Sequence, residues 1–214
     1  MLTKTLQVSF LILFLLSFPC VWAESPQNSF PAEKQRLFTR IADAASRVMT
    51  VSGKFTQERK TALLNDILVS KGRFYFEPPR RILWETTEPF VSGFALEGKK
   101  VKQWKGSSDN ARFIDVDQAP GLKVFTEQVF LWMNADFDKL TKMYRIEILG
   151  EVPATIKLAP LGDAGSEALA FMTIVFSGDL SYVTTVEIHE KDGDFTKISF
   201  SNALINGPVL KKLF

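Results

Sequence analysis

Apolar residues recur along this chain at two spacings, and each change of spacing marks an element. Leu37, Ile41, Ala44, Ala45 and Val48 fall three or four apart. That predicts an amphipathic helix over Pro31–Met49, with Pro31 at a favoured first position. The period then drops to two. Residues 51–60, VSGKFTQERK, read as a strand with Val51 and Phe55. Residues 63–77 read as a strand, a turn near Lys71-Gly72, and a second strand that places Phe74 and Phe76 on one face. Ile82 and Trp84 share a face of the next strand, and Glu97-Gly98-Lys99 marks a hairpin turn between two further runs. ARFIDVDQ (residues 111–118) adds another strand.

The middle of the chain returns to helical spacing. Leu122, Phe125, Val129 and Trp132 recur at three and four from Pro120 onward, with Phe130 and Met133 widening the stripe. A shorter helical piece is expected over Asp136–Leu140. Five strands follow, with a loop at Leu161–Ser166 and a hairpin turn at Asp192-Gly193. Roughly ten strands and two helices with short turns predict a mainly β, α+β domain. Its architecture is one strongly curved antiparallel sheet with helices covering an opening.

The N-terminus alters this picture. Lys4, an apolar run from Leu6 to Phe18, and Val21 and Ala23 at small-residue positions form the pattern of a secretory signal peptide cleaved after Ala23. The run is shorter than the roughly 20 residues that a membrane span needs. The exported chain is expected to be a single domain, residues 24–214, in the periplasm. The only cysteine, Cys20, lies in the leader. Phe18 and Pro19 before it make a poor lipidation signal, and the exported chain would hold no disulfide or thiolate metal site. Removing Lys4 lowers the formal charge from +2 to +1, which leaves no electrostatic case for nucleic-acid binding.

Catalytic constellations are sparse. His189 is the single histidine, in a strand and sharing a face with Glu187. It is expected to face solvent, and a lone imidazole cannot build a histidine-rich metal site. Asp115 and Asp117, two apart, would share a strand face, as a solvated pair. Glu85 and Glu88 likewise lack any partner at ligand spacing. No phosphate loop, dinucleotide fingerprint or nucleophile elbow occurs. The expectation is a protein with no catalytic residues, no metal and no cofactor.

Aromatic surface is abundant instead, with 19 phenylalanines and 4 tryptophans. Phe55, Phe74, Phe76, Ile82, Trp84, Phe94 and Leu96 occupy inward-repeating strand positions. Phe125, Phe130, Trp132 and Met133 join them from the helical region, the last three as expected lipid contacts. An ordinary filled core is one outcome of this pattern. A half-open barrel with a greasy, partly unfilled interior is the other, and it would shelter an acyl chain at about 0.8 kcal/mol per buried methylene.

Several motifs occur in a definite order. They are Phe55-Thr56-Gln57, Gly72-Arg73-Phe74 ahead of a proline, Pro79 with Trp84 five residues on, Pro89, the Gly98-Lys99 turn, and the tail FSNALINGPVLKKLF. The set resembles the periplasmic outer-membrane lipoprotein carriers, the LolA/LolB-like family. The resemblance implies an unclosed antiparallel β-barrel with a helical lid at Pro120–Met133 and the first helix across the barrel. It also implies acylated lipoprotein or another lipid as cargo, an inner-membrane release complex, an outer-membrane acceptor, and a monomer. A lipid sensor or interaction module on the same scaffold is the alternative, and an enzyme acting on lipid or envelope polymer a third reading. Well-studied carriers place a lid-latching arginine where this chain has Pro78. Arg80 or Arg81 would take over the mouth and lid contact, and period two lets only one of them face inward. Both also suit the charged, proline-bounded end of an open sheet edge. The cluster Lys99, Lys100, Lys102 and Lys105 suggests a solvated hairpin, or a dock for an acidic partner or an anionic bilayer.

Overall fold

The alternating runs pair into one sheet, because each strand has an apolar face to bury and a neighbour a short turn away. A computed structural model describes residues 32–61, 66–106, 108–162 and 168–210. The leader and its cleavage site lie outside these residues. The chain begins with α1 (Ala32–Ala45), then β1 (Val51–Lys60), β2 (Ile67–Glu77), β3 (Arg81–Glu88), β4 (Ser92–Glu97), β5 (Lys100–Lys105) and β6 (Arg112–Asp115). Helices α2 (Pro120–Met133) and α3 (Phe137–Met143) follow. The remaining strands are β7 (Tyr144–Glu151), β8 (Ala154–Pro160), β9 (Leu169–Phe176), β10 (Val183–Glu190) and β11 (Phe195–Ile205).

All eleven strands form one antiparallel sheet in the order β6-β5-β4-β3-β2-β1-β11-β10-β9-β8-β7. Two meanders run outward from the centre, and the first strand pairs with the last: Phe55 lies opposite Phe200. Strands β6 and β7 are the free edges, so the curved sheet stays unclosed. Helices α2 and α3 lie in the crossover between those edges. All three helices bury their apolar stripes in one cluster with the inward side chains of the sheet. Leu37, Ile41, Ile82, Val101, Ile156 and Leu158 are among its most buried members. Helix α1 packs on α3 through parallel rings of Phe38 and Phe137, 4.1 Å apart.

The turn expected at Lys71-Gly72 does not exist. Residues 67–77 form one continuous strand. Gly72 lies directly opposite Phe55, and a Cβ there would run into the Glu85 carbonyl oxygen and sit 2.5 Å from the Phe55 ring. The glycine makes room for a neighbour's aromatic ring. Two other pairs repeat the device: Gly53 opposite Phe74 and Gly93 opposite Trp104. A Cβ on Gly93 would meet the Trp104 ring at 2.7 Å.

Three further expectations are corrected. Helix α1 ends at Ala45, not Met49. Its exit is fixed by Asn206, whose side chain accepts from Met49 N (2.7 Å) and donates to Arg47 O (3.1 Å). Residues 111–118 are not one strand. Chain pairing stops at Asp115, whose carboxylate accepts from Asp117 N (2.8 Å) and caps a 3-10 turn at Val116–Gln118. Asp115 and Asp117 therefore share no strand face. His189 is only half exposed: it stacks on Phe171 at 4.2 Å and leans on Phe195 at 4.9 Å.

Overpacking at the glycine–aromatic pairs gives a direct test. Gly72→Ala should lower stability by about 3 kcal/mol in denaturant titration, because neither the Phe55 ring nor the Glu85 carbonyl can withdraw. Gly121→Ala, which meets nothing within 4 Å on helix α2, should leave stability unchanged or raise it by up to about 1 kcal/mol.

Candidate functional site

Register alone aligns the inward face of the β1–β6 meander into rows. One row runs Val51, Phe76, Ile82, Leu96 and Val101 across five neighbouring strands. The next holds Phe74, Trp84 and Phe94, with Gly53 at its β1 end. A third holds Phe200, Phe55 and Gly72. Because side chains alternate across the pleat, the intervening residues point to the outer face. The seven strand residues singled out from sequence, from Phe55 to Leu96, all lie on the inner face. All are buried except Trp84, which is half-buried.

Rings fill the space between rows. Phe55 stacks on Trp84 at 4.1 Å, reaching it over Gly72, and Phe200 meets Phe74 edge-on at 4.9 Å. Helix α2 closes this face. Its Phe125 stands edge-on to Trp84 (5.5 Å) and Phe94 (6.0 Å), and its Phe130 leans on Phe76 (5.5 Å). Phe130 and Trp132 are buried and Met133 is partly so. The Trp132 indole N–H is buried and finds no acceptor among the described residues. Phe125, which the sequence already offered with the aromatic surface of the second helix, is seated here. Phe200 also belongs to this site and was not legible in the sequence, because only its pairing with Phe55 brings it beside Trp84.

Polar contacts fasten α2 at its first turn and again past its middle. At its start Asp117 accepts from Lys123 Nζ at 2.5 Å and from Lys99 Nζ at 3.4 Å. This joins the first turn of the helix to the β4–β5 turn. Those hydrogen bonds, Lys123 first, hold the Asp117 carboxyl below the ordinary carboxylate range. Further along, the Tyr144 hydroxyl donates to Gln128 Oε1 at 2.9 Å, and burial pushes that phenol up.

The two arginines separate. Arg81 points away from the lid, onto the outer face. It pairs with Glu77 (2.6 Å) and Glu97 (3.4 Å) and donates to Leu210 O (2.8 Å), which ties down the chain's tail. Arg80 borders the lid. It lies between a cavity of about 500 Å³ that reaches Leu131, Asn134 and Met143 and one of about 250 Å³ beneath the start of α2, near Leu96 and Val116. Glu127 and Phe130 border both as well.

An open antiparallel half-barrel with an aromatic inner face, closed by a ring-packed and polar-latched helix, is the class of protein defined here. The chain belongs to the family of the outer membrane lipoprotein carrier protein LolA, whose sequence pattern matches residues 46–214. No curated protein matches the chain by sequence. Among solved structures it is similar to the MucA/MucB complex of Pseudomonas aeruginosa. The identity there is 11%, the TM-score 0.51, and the match covers 84% of this chain and 59% of that one. MucB alone gives 12% identity and a TM-score of 0.51, over 85% of this chain and 62% of that one. Lipoprotein LppX of Mycobacterium tuberculosis gives 13% and 0.49, over 83% and 99%. This chain thus spans about three-fifths of the MucB chains it matches. At such identities the likeness is one of fold.

The latch carries a pH signature. Because the Asp117 carboxyl is depressed in the folded state, its contribution is complete above the ordinary Asp value, about 4. It fades as pH falls through the lower folded value. Amide protection in the first turns of α2, measured against the intrinsic exchange rate at each pH, should therefore fall in that acid window while the β8–β10 strands hold. Asp117→Asn should show the lowered protection already at neutral pH, and the acid step should vanish.

Proposed function

We propose that this chain is a non-catalytic periplasmic carrier. It shelters acyl chains between α2 and the inner aromatic rows and moves lipoproteins, or another lipid, from the inner to the outer membrane. The observation that carries the reading is the seating of Phe125 on Trp84 and Phe94. The lid covers the apolar face with rings, and the polar ties that fasten it among the described residues run through Asp117 and Tyr144.

Magnitudes permit exchange of lid for lipid. Withdrawing α2 exposes Val129, Phe130 and Trp132 and the half-buried Phe125, at about 1.5–3 kcal/mol for each large side chain fully uncovered. Burying roughly a dozen methylenes returns about 10 kcal/mol, the same order. The exposed Asp117 latch adds little to the cost of opening. An ester or amide carbonyl entering with the chain would also satisfy the orphan Trp132 N–H, which otherwise costs the site a desolvated donor. In this reading the ten residues on the inner face and on α2 contact the acyl chain. Arg80 meets the headgroup or the lid edge. An inner-membrane release complex and an outer-membrane acceptor are the partners. A second reading, a lipid sensor that signals to a protein partner, is favoured by the likeness to MucB, which was solved in complex with MucA.

A photoreactive phenylalanine at position 125, introduced in living cells, tests the carrier reading while preserving an aromatic ring over Trp84. Acylated proteins should be the main adducts identified by mass spectrometry. A free glycolipid or fatty-acyl adduct would keep the carrier and change its cargo. Adducts only to the protein's own strands would overturn it and leave the sensor reading.

A further inference from the structure

Arg80 stands at the lid with its side chain exposed and, among the described residues, with no ion-pair partner. The cavity of about 250 Å³ that it borders beneath the start of α2 has a charged rim and an apolar floor. Arg80, Lys99, Lys123, Asp117 and Glu127 make the rim, and the buried Leu96, Val116 and Phe130 make the floor. Three cations thus face two carboxylates. Asp117 is already shared between Lys123 and Lys99. It holds the Lys123 ammonium above its ordinary range, while the charge of Arg80 pulls the other way. The rim is one anion short, and Arg80 is the cation left without one. Leu96 and Phe130 also belong to the buried cluster that carries Phe76 and Phe94 of the inner rows, so the same cavity touches the apolar face.

We infer that this cavity seats the phosphate of an anionic phospholipid, gripped by Arg80, with the acyl chains running past Phe130 onto the inner aromatic rows. The inference rests on the carrier reading and narrows its cargo to a lipid with a phosphodiester headgroup. A phosphodiester brings one negative charge, which balances the rim. The planar fork of a guanidinium meets two phosphate oxygens at once, a geometry that an ammonium lacks. A neutral glyceride or acyl-peptide headgroup would leave Arg80 without a counter-charge beside Lys99 and Lys123. The phosphate also competes with Asp117 for those two lysines. Once it takes them, the tie between the first turn of α2 and the β4–β5 turn is released. Arrival of the headgroup and loosening of the lid are then one exchange of anions, and a neutral lipid has no such lever.

Two soluble short-chain lipids test it, dihexanoyl phosphatidylglycerol and dihexanoylglycerol. They carry the same acyl chains and differ in the phosphate-bearing headgroup. Dissociation constants are measured by calorimetry on the chain as its host exports it, below the micellar concentration of either lipid. Wild type should prefer the phosphatidylglycerol by at least about tenfold, the value of one charge-assisted hydrogen-bonded contact. Arg80→Gln should bring that ratio close to one, and Arg80→Lys should restore only part of it. Asp117→Asn should raise the ratio, because it removes the competitor for Lys99 and Lys123. Opposite shifts from a cation and an anion of one rim cannot come from a general loss of folding. Equal affinity of wild type for the two lipids overturns the proposal and leaves the carrier reading standing, as does a ratio that Arg80→Gln does not change. Binding of neither lipid overturns both. Displacement of the phosphatidylglycerol by an equimolar amount of inorganic phosphate assigns the rim to the free ion and overturns the lipid site.

Discussion

The ring of Phe55 crosses Gly72 to rest on Trp84, and that contact joins the smaller cluster of Val48, Val51, Phe74 and Ile198 to the main core, because Trp84 packs against both. It holds β1 to β2 and β3 more closely than ladder hydrogen bonds alone would, because the ring occupies the volume of a missing side chain. It also sets the height of Trp84, and Trp84 is what Phe125 of the lid seats against. A larger residue at position 72 would therefore displace the lid as well as the strand. Trp104 over Gly93 repeats the device on the outer face. Ring-over-glycine packing shapes both surfaces of the same strands.

The outer face has its own clasp. Tyr75 donates to Glu77, Glu77 pairs with Arg81, and Arg81 reaches the Leu210 carbonyl, while Leu210 N donates back to the Tyr75 hydroxyl. The tail is thus fixed across β2 and β3, behind the very strands that carry Phe76 and Ile82. Asn206 does similar service at the exit of α1. Both contacts join early chain to late chain, as does the β1–β11 pairing itself. Such long-range closure makes the sheet slow to complete during folding.

How much of this was legible in the sequence depended on whether a residue's meaning was local. Period two placed Phe74, Phe76, Ile82 and Trp84 on one face, and the three-four spacing placed α2, since both signals need only near neighbours. Gly72 was misread as a turn because an in-strand glycine has meaning only through Phe55, seventeen residues away in the chain. The end of β6 was missed for a related reason. Asp115 looked like one of an alternating pair, yet its carboxylate accepts from the backbone and ends the strand. Period two allowed only one arginine to face inward, and the inward placing of Ile82 and Trp84 sends Arg81 outward; its partners there, Glu77, Glu97 and Leu210, were not legible because two of them come from other parts of the chain.

The crossover that carries α2 and α3 begins at one free edge of the sheet, β6, and ends at the other, β7. It is strung between the two lips of the half-barrel like the cord of a bow. Its ties at Asp117 and Tyr144 set the tension near each tip. A lid attached at one end could swing without disturbing what it covers. A cord cannot be drawn aside without changing the span between the tips, so the width of the groove and the position of the helix are one mechanical variable. Anything that widens the sheet loosens the helix, and anything that pulls the helix away lets the sheet relax.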